Sequence, residues 1–94
     1  MLIELTLMYP FKSTRKKILN YLEKYKHDVE TLDECIEFNI YKDTYSDKII
    51  YIIKWTSKES MTENTDQKKY KKRVEEIMNL QKFPAEVYSL EENT

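Results

Sequence analysis

Residues 34–55 read ECIEFNIYKDTYSDKIIYIIKW. Ile36, Phe38 and Ile40 alternate there with Cys35, Glu37 and Asn39, a period of two that suits an extended strand and not a helix. Asp43, Ser46 and Asp47 then supply turn chemistry before an apolar run from Ile49 to Trp55. The stretch predicts a β-hairpin with a loop of several residues. Upstream, Ile3, Leu5 and Leu7 alternate with Glu4 and Thr6, which predicts a strand over 2–8. Pro10 has no N–H to give a ladder and closes that strand, and Ser13 or Thr14 caps the helix that follows. Ile18, Leu22, Tyr25 and Val29 recur in that helix at spacings of four, three and four, the stripe an amphipathic helix lays on a sheet. Downstream, Ser57 and Glu59 open a short helix. Thr65 or Asp66 opens a longer one with Tyr70, Val74, Ile77 and Met78 or Gln81 on its inner face. Pro84 separates it from a last strand, Ala85 to Leu90, and 91–94 form a polar tail.

The resulting order is β-α-β-β-α-β with the second helical region broken in two. Because β-α-β crossovers are right-handed and sequential strands tend to pair, this order specifies an α+β, ferredoxin-like sandwich. One domain spans 1–90, with a four-stranded antiparallel sheet, its first and third strands central, and helices on one face. The alternation predicts Ile3, Leu5, Leu7, Ile36, Phe38 and Ile40 beneath the helices. It leaves Glu4, Thr6, Cys35, Glu37, Asn39 and Lys54 on the open side, where Glu4, Lys54 and Glu37 meet across strands. With Tyr41 and Tyr88 nearby, that face is most simply satisfied by a second copy, so a homodimer is expected.

Composition narrows the function. A chain of 94 residues forms one domain, and a domain of this size buries only about 60–65% of its unfolded surface, so a partner subunit supplements its core. Its 16 Lys and Arg against 17 Asp and Glu favour neither nucleic acid nor an anionic membrane. No apolar run approaches the roughly 20 residues that span a bilayer, and no basic stretch precedes an apolar one as in a signal peptide. The single Cys35 forms no internal disulfide, which fits a reducing cytoplasm. With no glycine there is no Gly-rich phosphate cradle, and with one histidine and one cysteine neither a zinc site nor a Ser/His/Asp triad assembles in one chain. His27 reads as a solvent-facing residue. The run Lys68, Lys69, Lys71, Lys72 and Arg73 reads as a solvated helix face, because Asp66, Glu75 and Glu76 lie beside it.

Three phenylalanines, eight tyrosines and one tryptophan are a heavy aromatic load for 94 residues. Most fill the core or a dimer interface. Phe38, Tyr51, Trp55, Tyr70 and Phe83 are the candidates to line a pocket between sheet and helices, which suits a flat aromatic ligand; the alternative is that they simply fill the interior.

The runs Asp33 to Tyr41 and Tyr51-Ile52-Ile53-Lys54-Trp55-Thr56-Ser57-Lys58-Glu59-Ser60-Met61 resemble the antibiotic biosynthesis monooxygenase family of dimeric α/β-barrel proteins. The match is concentrated in Trp-x-Ser-x-Glu. The resemblance implies a ferredoxin-like fold, sheet-to-sheet dimerisation, and either cofactor-free oxygenation of small aromatic compounds or, in other members, haem binding and degradation. The turn glycine common in the family is replaced here by Asp33 or Glu34. Residues 2–8 contain no Asn and 66–82 no His, the two residues on which the haem-degrading branch relies, so haem degradation is disfavoured and no cofactor is expected. For a cofactor-free oxidation of a phenol or quinone, Asn64 would orient the substrate oxygen, Trp55 shape the wall and Tyr70 donate a hydrogen bond, with Phe38, Tyr51 and Phe83 binding the ligand. The alternative is a non-catalytic dimeric module for ligand binding or protein interaction, in which Asn64 caps the following helix.

Overall fold

A computed structural model describes residues 1–93. It holds β1 (Leu2–Pro10), α1 (Arg15–Val29), β2 (Cys35–Lys42), β3 (Ile49–Trp55), α2 (Lys58–Thr65), α3 (Lys68–Met78) and β4 (Gln81–Glu91). The sheet order is β2-β3-β1-β4, every pair antiparallel, so β3 and β1 are central as the element order requires. The architecture is the ferredoxin-like α+β sandwich. No helix among the described residues is long and apolar enough to cross a membrane.

Register decides which side chains enter the core, and here two expectations are corrected. Leu2, Glu4, Thr6 and Met8 sit opposite Trp55, Ile53, Tyr51 and Ile49. Those four β3 residues lie beneath the helices with Ile18, Leu22, Tyr25 and Val29 of α1, so β1 buries its even-numbered residues. Ile3, Leu5 and Leu7 face the open side with Ile50 and Ile52, the reverse of the predicted assignment. Alternation in β1 does not discriminate, because Leu2 and Met8 are as apolar as the residues between them. The fully buried β3 face fixes the choice, and Glu4 is accommodated because the Trp55 indole N–H donates to its Oε1 at 3.1 Å. In β2 the ladder shifts register between Cys35 and Glu37. This β-bulge leaves Ile36 54% exposed and turns Cys35 to the helix side, while Phe38 stays in the core. Glu37 and Asn39 hold the open face as expected, and Lys54 Nζ pairs with Glu37 Oε2 at 3.0 Å; Glu4 is on the opposite face and cannot join them.

Pro84 does not separate α3 from β4. The strand already runs at Gln81, and Pro84 lies inside it, where the β1 pairing jumps from Glu86 to Phe83 and one residue is extra. An edge strand at an interrupted ladder tolerates a residue without an N–H. Glu91 belongs to β4 and not to the polar tail; Thr94 lies outside the described residues.

The helix starts divide. Ser57 caps α2, its Oγ accepting from Ser60 N at 3.2 Å. The N-cap of α3 is Gln67 and not Thr65 or Asp66, with no side-chain cap bond. Thr14 occupies the N-cap of α1 but donates its hydroxyl to Leu80 O at 2.6 Å, tying the start of α1 to the α3–β4 junction. No described residue has a positive φ. The β2–β3 loop turns without glycine because Asp43 Oδ1 accepts from Tyr45 N at 3.0 Å and Oδ2 from the Ser46 hydroxyl at 2.7 Å. Arg15 of α1 anchors this loop through Asp43 O at 2.9 Å.

Candidate functional site

Helix α3 carries an apolar side but buries no residue fully, and neither does β4. Val74 and Met78 are 43% and 60% exposed because they face a cavity and not a packed interior. That cavity has a volume of about 390 Å³ and opens between α1, α3 and the β1, β3 and β4 part of the sheet. Tyr21, Tyr25, Tyr51 and Tyr70 supply its phenol rings and Leu22, Met8, Ile77 and Ala85 its apolar floor and walls. Phe83 stands at the mouth, 61% exposed, its ring edge-on to Tyr9 at 5.8 Å. The volume lies within the range of small-ligand sites.

The rings are held by one another. Tyr25 is edge-on to Phe38 at 5.4 Å and to Tyr51 at 6.1 Å, and its centroid is 6.0 Å from that of Tyr70. Phe38 stacks on Tyr51 at 5.4 Å. Phe38 and Trp55, expected at the ligand, are instead fully buried behind the wall: Phe38 supports Tyr51, and Trp55 holds Glu4. Tyr51, Tyr70 and Phe83 do line the cavity.

Asn64 is buried, its Nδ2 donating to the Tyr25 hydroxyl at 2.7 Å. It lies in a second, smaller cavity of about 230 Å³ with Asp28, Lys69 and Arg73. The side chain of Asn64 does not cap α3; only its carbonyl accepts, from Gln67 N at 3.3 Å. The expected pocket beside both Trp55 and Asn64 is thus replaced by one that neither lines. Tyr25, Tyr70 and Arg73 are common to the two cavities and form the partition between them.

The site's electrostatics follow from burial. Desolvation, then the proximity of Glu4, pushes the hydroxyls of Tyr25, Tyr51 and Tyr70 above the ordinary phenol value, so all three remain protonated donors. Desolvation also raises the carboxyl of Glu4, against the Trp55 hydrogen bond that lowers it. Glu4 Oε2 and Thr6 Oγ1 are buried without a protein partner. Among the described residues no group of three His, Cys, Asp or Glu could hold a metal ion.

Sequence reasoning misses Glu4, Tyr25 and Arg73 as site residues. Alternation alone assigns Glu4 to the wrong sheet face, and Tyr25 reads only as part of the α1 stripe. Arg73 reads as one of the solvated basic run, although its spacing of three from Tyr70 and four from Ile77 puts it on the inner side of α3. Its neighbours Lys68, Lys69, Lys71 and Lys72 are exposed as expected, and so is His27.

No protein-family model and no curated protein sequence matches the chain. Solved structures do match it over its whole length. One described as an antibiotic biosynthesis monooxygenase is 12% identical, with a TM-score of 0.89 and 100% of each chain covered. A candidate antibiotic biosynthesis monooxygenase from Deinococcus radiodurans is 10% identical, with a TM-score of 0.91, covering 100% of this chain and 94% of that one. SnoaB, a cofactor-independent oxygenase from Streptomyces nogalater solved as a point mutant, is 7% identical, with a TM-score of 0.85, covering 99% of this chain and 93% of that one. The chain therefore has, from end to end, the fold of the antibiotic biosynthesis monooxygenase structures.

Proposed function

We propose that the chain is an antibiotic biosynthesis monooxygenase-type enzyme that oxidises a small phenolic or quinone compound without a cofactor. The observation that carries this reading is the open cavity of about 390 Å³ walled by four phenol rings, in the fold of a cofactor-independent oxygenase. Flat rings and apolar side chains suit an aromatic ligand, and protonated tyrosine hydroxyls suit an oxyanion developing on it. In the balanced reaction a phenol and O2 give a quinone and water: one oxygen atom becomes the new ring carbonyl and the other leaves as water. The substrate supplies all four electrons, first as a phenolate that passes one to O2. Tyr70, Tyr51 and Tyr25 donate to the substrate oxygen, Asn64 positions the Tyr25 hydroxyl, and Trp55 and Phe38 hold the wall from behind.

The active form is a cytoplasmic homodimer. The open sheet face presents Ile3, Leu5, Leu7, Ile50 and Ile52 with Tyr41, Tyr88 and Leu90, an apolar surface of the kind that a second sheet covers.

Oxygen uptake by the purified protein with a panel of phenols and hydroquinones, after chelator treatment, tests the reaction. Consumption of one O2 per quinone formed from a phenol, with no hydrogen peroxide released and with uptake reduced in Tyr70→Phe, supports it. A compound that raises the melting temperature without consuming O2 makes the chain a ligand-binding module instead. No shift and no uptake with any compound overturns both.

A further inference from the structure

Two cations and no carboxylate line the tyrosine-walled cavity. Lys82 is exposed on β4, but Arg73 is half-buried in the partition between the two cavities. Its guanidinium lies over the Tyr25 ring, 5.4 Å from the centroid. Its Nη2 meets Asp28 Oδ2, and Lys69 Nζ reaches the same oxygen at 3.0 Å. One carboxylate is thus shared by two cations, and the cluster keeps a positive charge. A guanidinium is a planar fork of five N–H donors, and those not used on Asp28 have no protein acceptor among the described residues. The other buried carboxyl near the rings, Glu4, accepts from the Trp55 indole N–H at 3.1 Å, lies outside the cavity lining and makes no ion pair with Arg73. A cation partly withdrawn from water beside an apolar cavity attracts an anion more strongly than a surface lysine does.

We infer that Arg73 determines ligand specificity: the cavity takes aromatic compounds that carry an acidic group, with the ring among the tyrosines and the anion on the Arg73 guanidinium. This rests on the reading of the cavity as an aromatic-ligand site. It gives a role to Arg73, the one cation of the basic run that lines the tyrosine-walled cavity.

Calorimetric titration of the full chain with 2-naphthoic acid and with 2-naphthamide, nearly the same shape but neutral, tests it. The wild type binds the acid about tenfold or more tighter than the amide, as a charge-assisted contact requires. Arg73→Gln brings the acid-to-amide affinity ratio down toward one, and Arg73→Lys restores part of it. Should Arg73→Gln fail to fold, Asp28→Asn supplies the test: freeing Arg73 of its counter-ion raises the acid-to-amide ratio, and an unchanged ratio overturns the inference. Amide and acid bound equally by the wild type, or a preference that survives in Arg73→Gln, overturns the role of Arg73 and leaves the aromatic site standing. Binding of neither compound overturns the aromatic site itself, and the inference with it.

Discussion

Replacing Glu4 by Gln should stabilise the protein at neutral pH and leave it unchanged in acid. Glu4 is buried on the core face of β1, with one oxygen bonded to Trp55 and the other unpartnered. Burial raises its carboxyl above the ordinary glutamate value of 4.5. Below that value the folded and unfolded chains both hold the proton, and burial carries no ionisation cost. As pH rises past it the unfolded chain releases the proton and the folded chain resists. Stability is then lost at up to about 1.4 kcal/mol per pH unit until the pH passes the folded-state value. The partners that face Glu4 are Tyr25 of α1, Tyr51 and Trp55 of β3 and Tyr70 of α3; the three tyrosines stay protonated and none supplies a compensating cation. Glutamine keeps the acceptor for the Trp55 N–H, and its amide replaces an oxygen that already lacks a partner, so the substitution itself costs little at low pH. Urea unfolding of both proteins from about pH 4 to pH 8 measures the difference, which should start near zero and grow with pH. Parallel stability profiles across that range would refute the assignment of Glu4 as a buried carboxyl whose ionisation opposes folding.

Four further outcomes are expected. Asn64→Ala removes the 2.7 Å bond to the Tyr25 hydroxyl and leaves that buried hydroxyl without its donor. The loss should be about 1–3 kcal/mol in urea unfolding, and a change under about 0.5 kcal/mol would show that the bond is unimportant. Ser57→Ala removes the α2 cap bond to Ser60 N and should cost about 1 kcal/mol by the same assay. Ile52→Lys puts a charge in the middle of the open sheet face; light scattering should report a dimer for the wild type and a monomer for the variant, and a monomeric wild type would sink the dimer. In alkaline titration Tyr25, Tyr51 and Tyr70 hold their protons above the usual phenol value of 10.0, so the stability they contribute is present below it and lost as pH rises. The tyrosinate absorbance of these three, out of eight tyrosines, should appear together with the loss of near-UV circular dichroism; an absorbance equal to all eight in the still-folded protein would contradict their burial.

The hairpin of residues 34–55 is legible because two independent signals coincide there: a period of two and a cluster of turn formers. Element order follows from it, and order is enough to place β1 and β3 at the centre of the sheet. Which face of β1 enters the core is not legible. Leu2, Ile3, Leu5, Leu7 and Met8 make both sides apolar, and register is set by β3 and by contacts distant in sequence. The bulge at Ile36 and the proline within β4 are hidden for a related reason, since a local rule predicts a ladder and only the pairing strand reveals where the ladder breaks.

The site is half legible for the same physical cause. Tyr51 and Tyr70 lie on elements whose inner side the periodicity identifies, and both reach the cavity; Phe83 reaches it too, from a stretch that the sequence reading assigns to no element. Phe38 and Trp55 lie on equally inward positions and are sealed behind it. Periodicity reports the direction of a side chain but not its depth, and depth depends on how closely α3 approaches the sheet. That approach is loose: no residue of α3 or β4 is fully buried, whereas α1 buries Ile18, Leu22, Tyr25 and Val29. A close α1 and a loose α3 over one sheet leave a wedge of space on the α3 side, so the cavity follows from unequal packing rather than from any motif. The basic run on α3 acquires its meaning there. A helix that packed tightly would bury Tyr70 and Ile77 and turn Arg73 outward, but one that stands off lets Arg73 fold beneath it onto Asp28 and the face of Tyr25. Loose packing thus creates the aromatic space and also brings a cation to its inner wall.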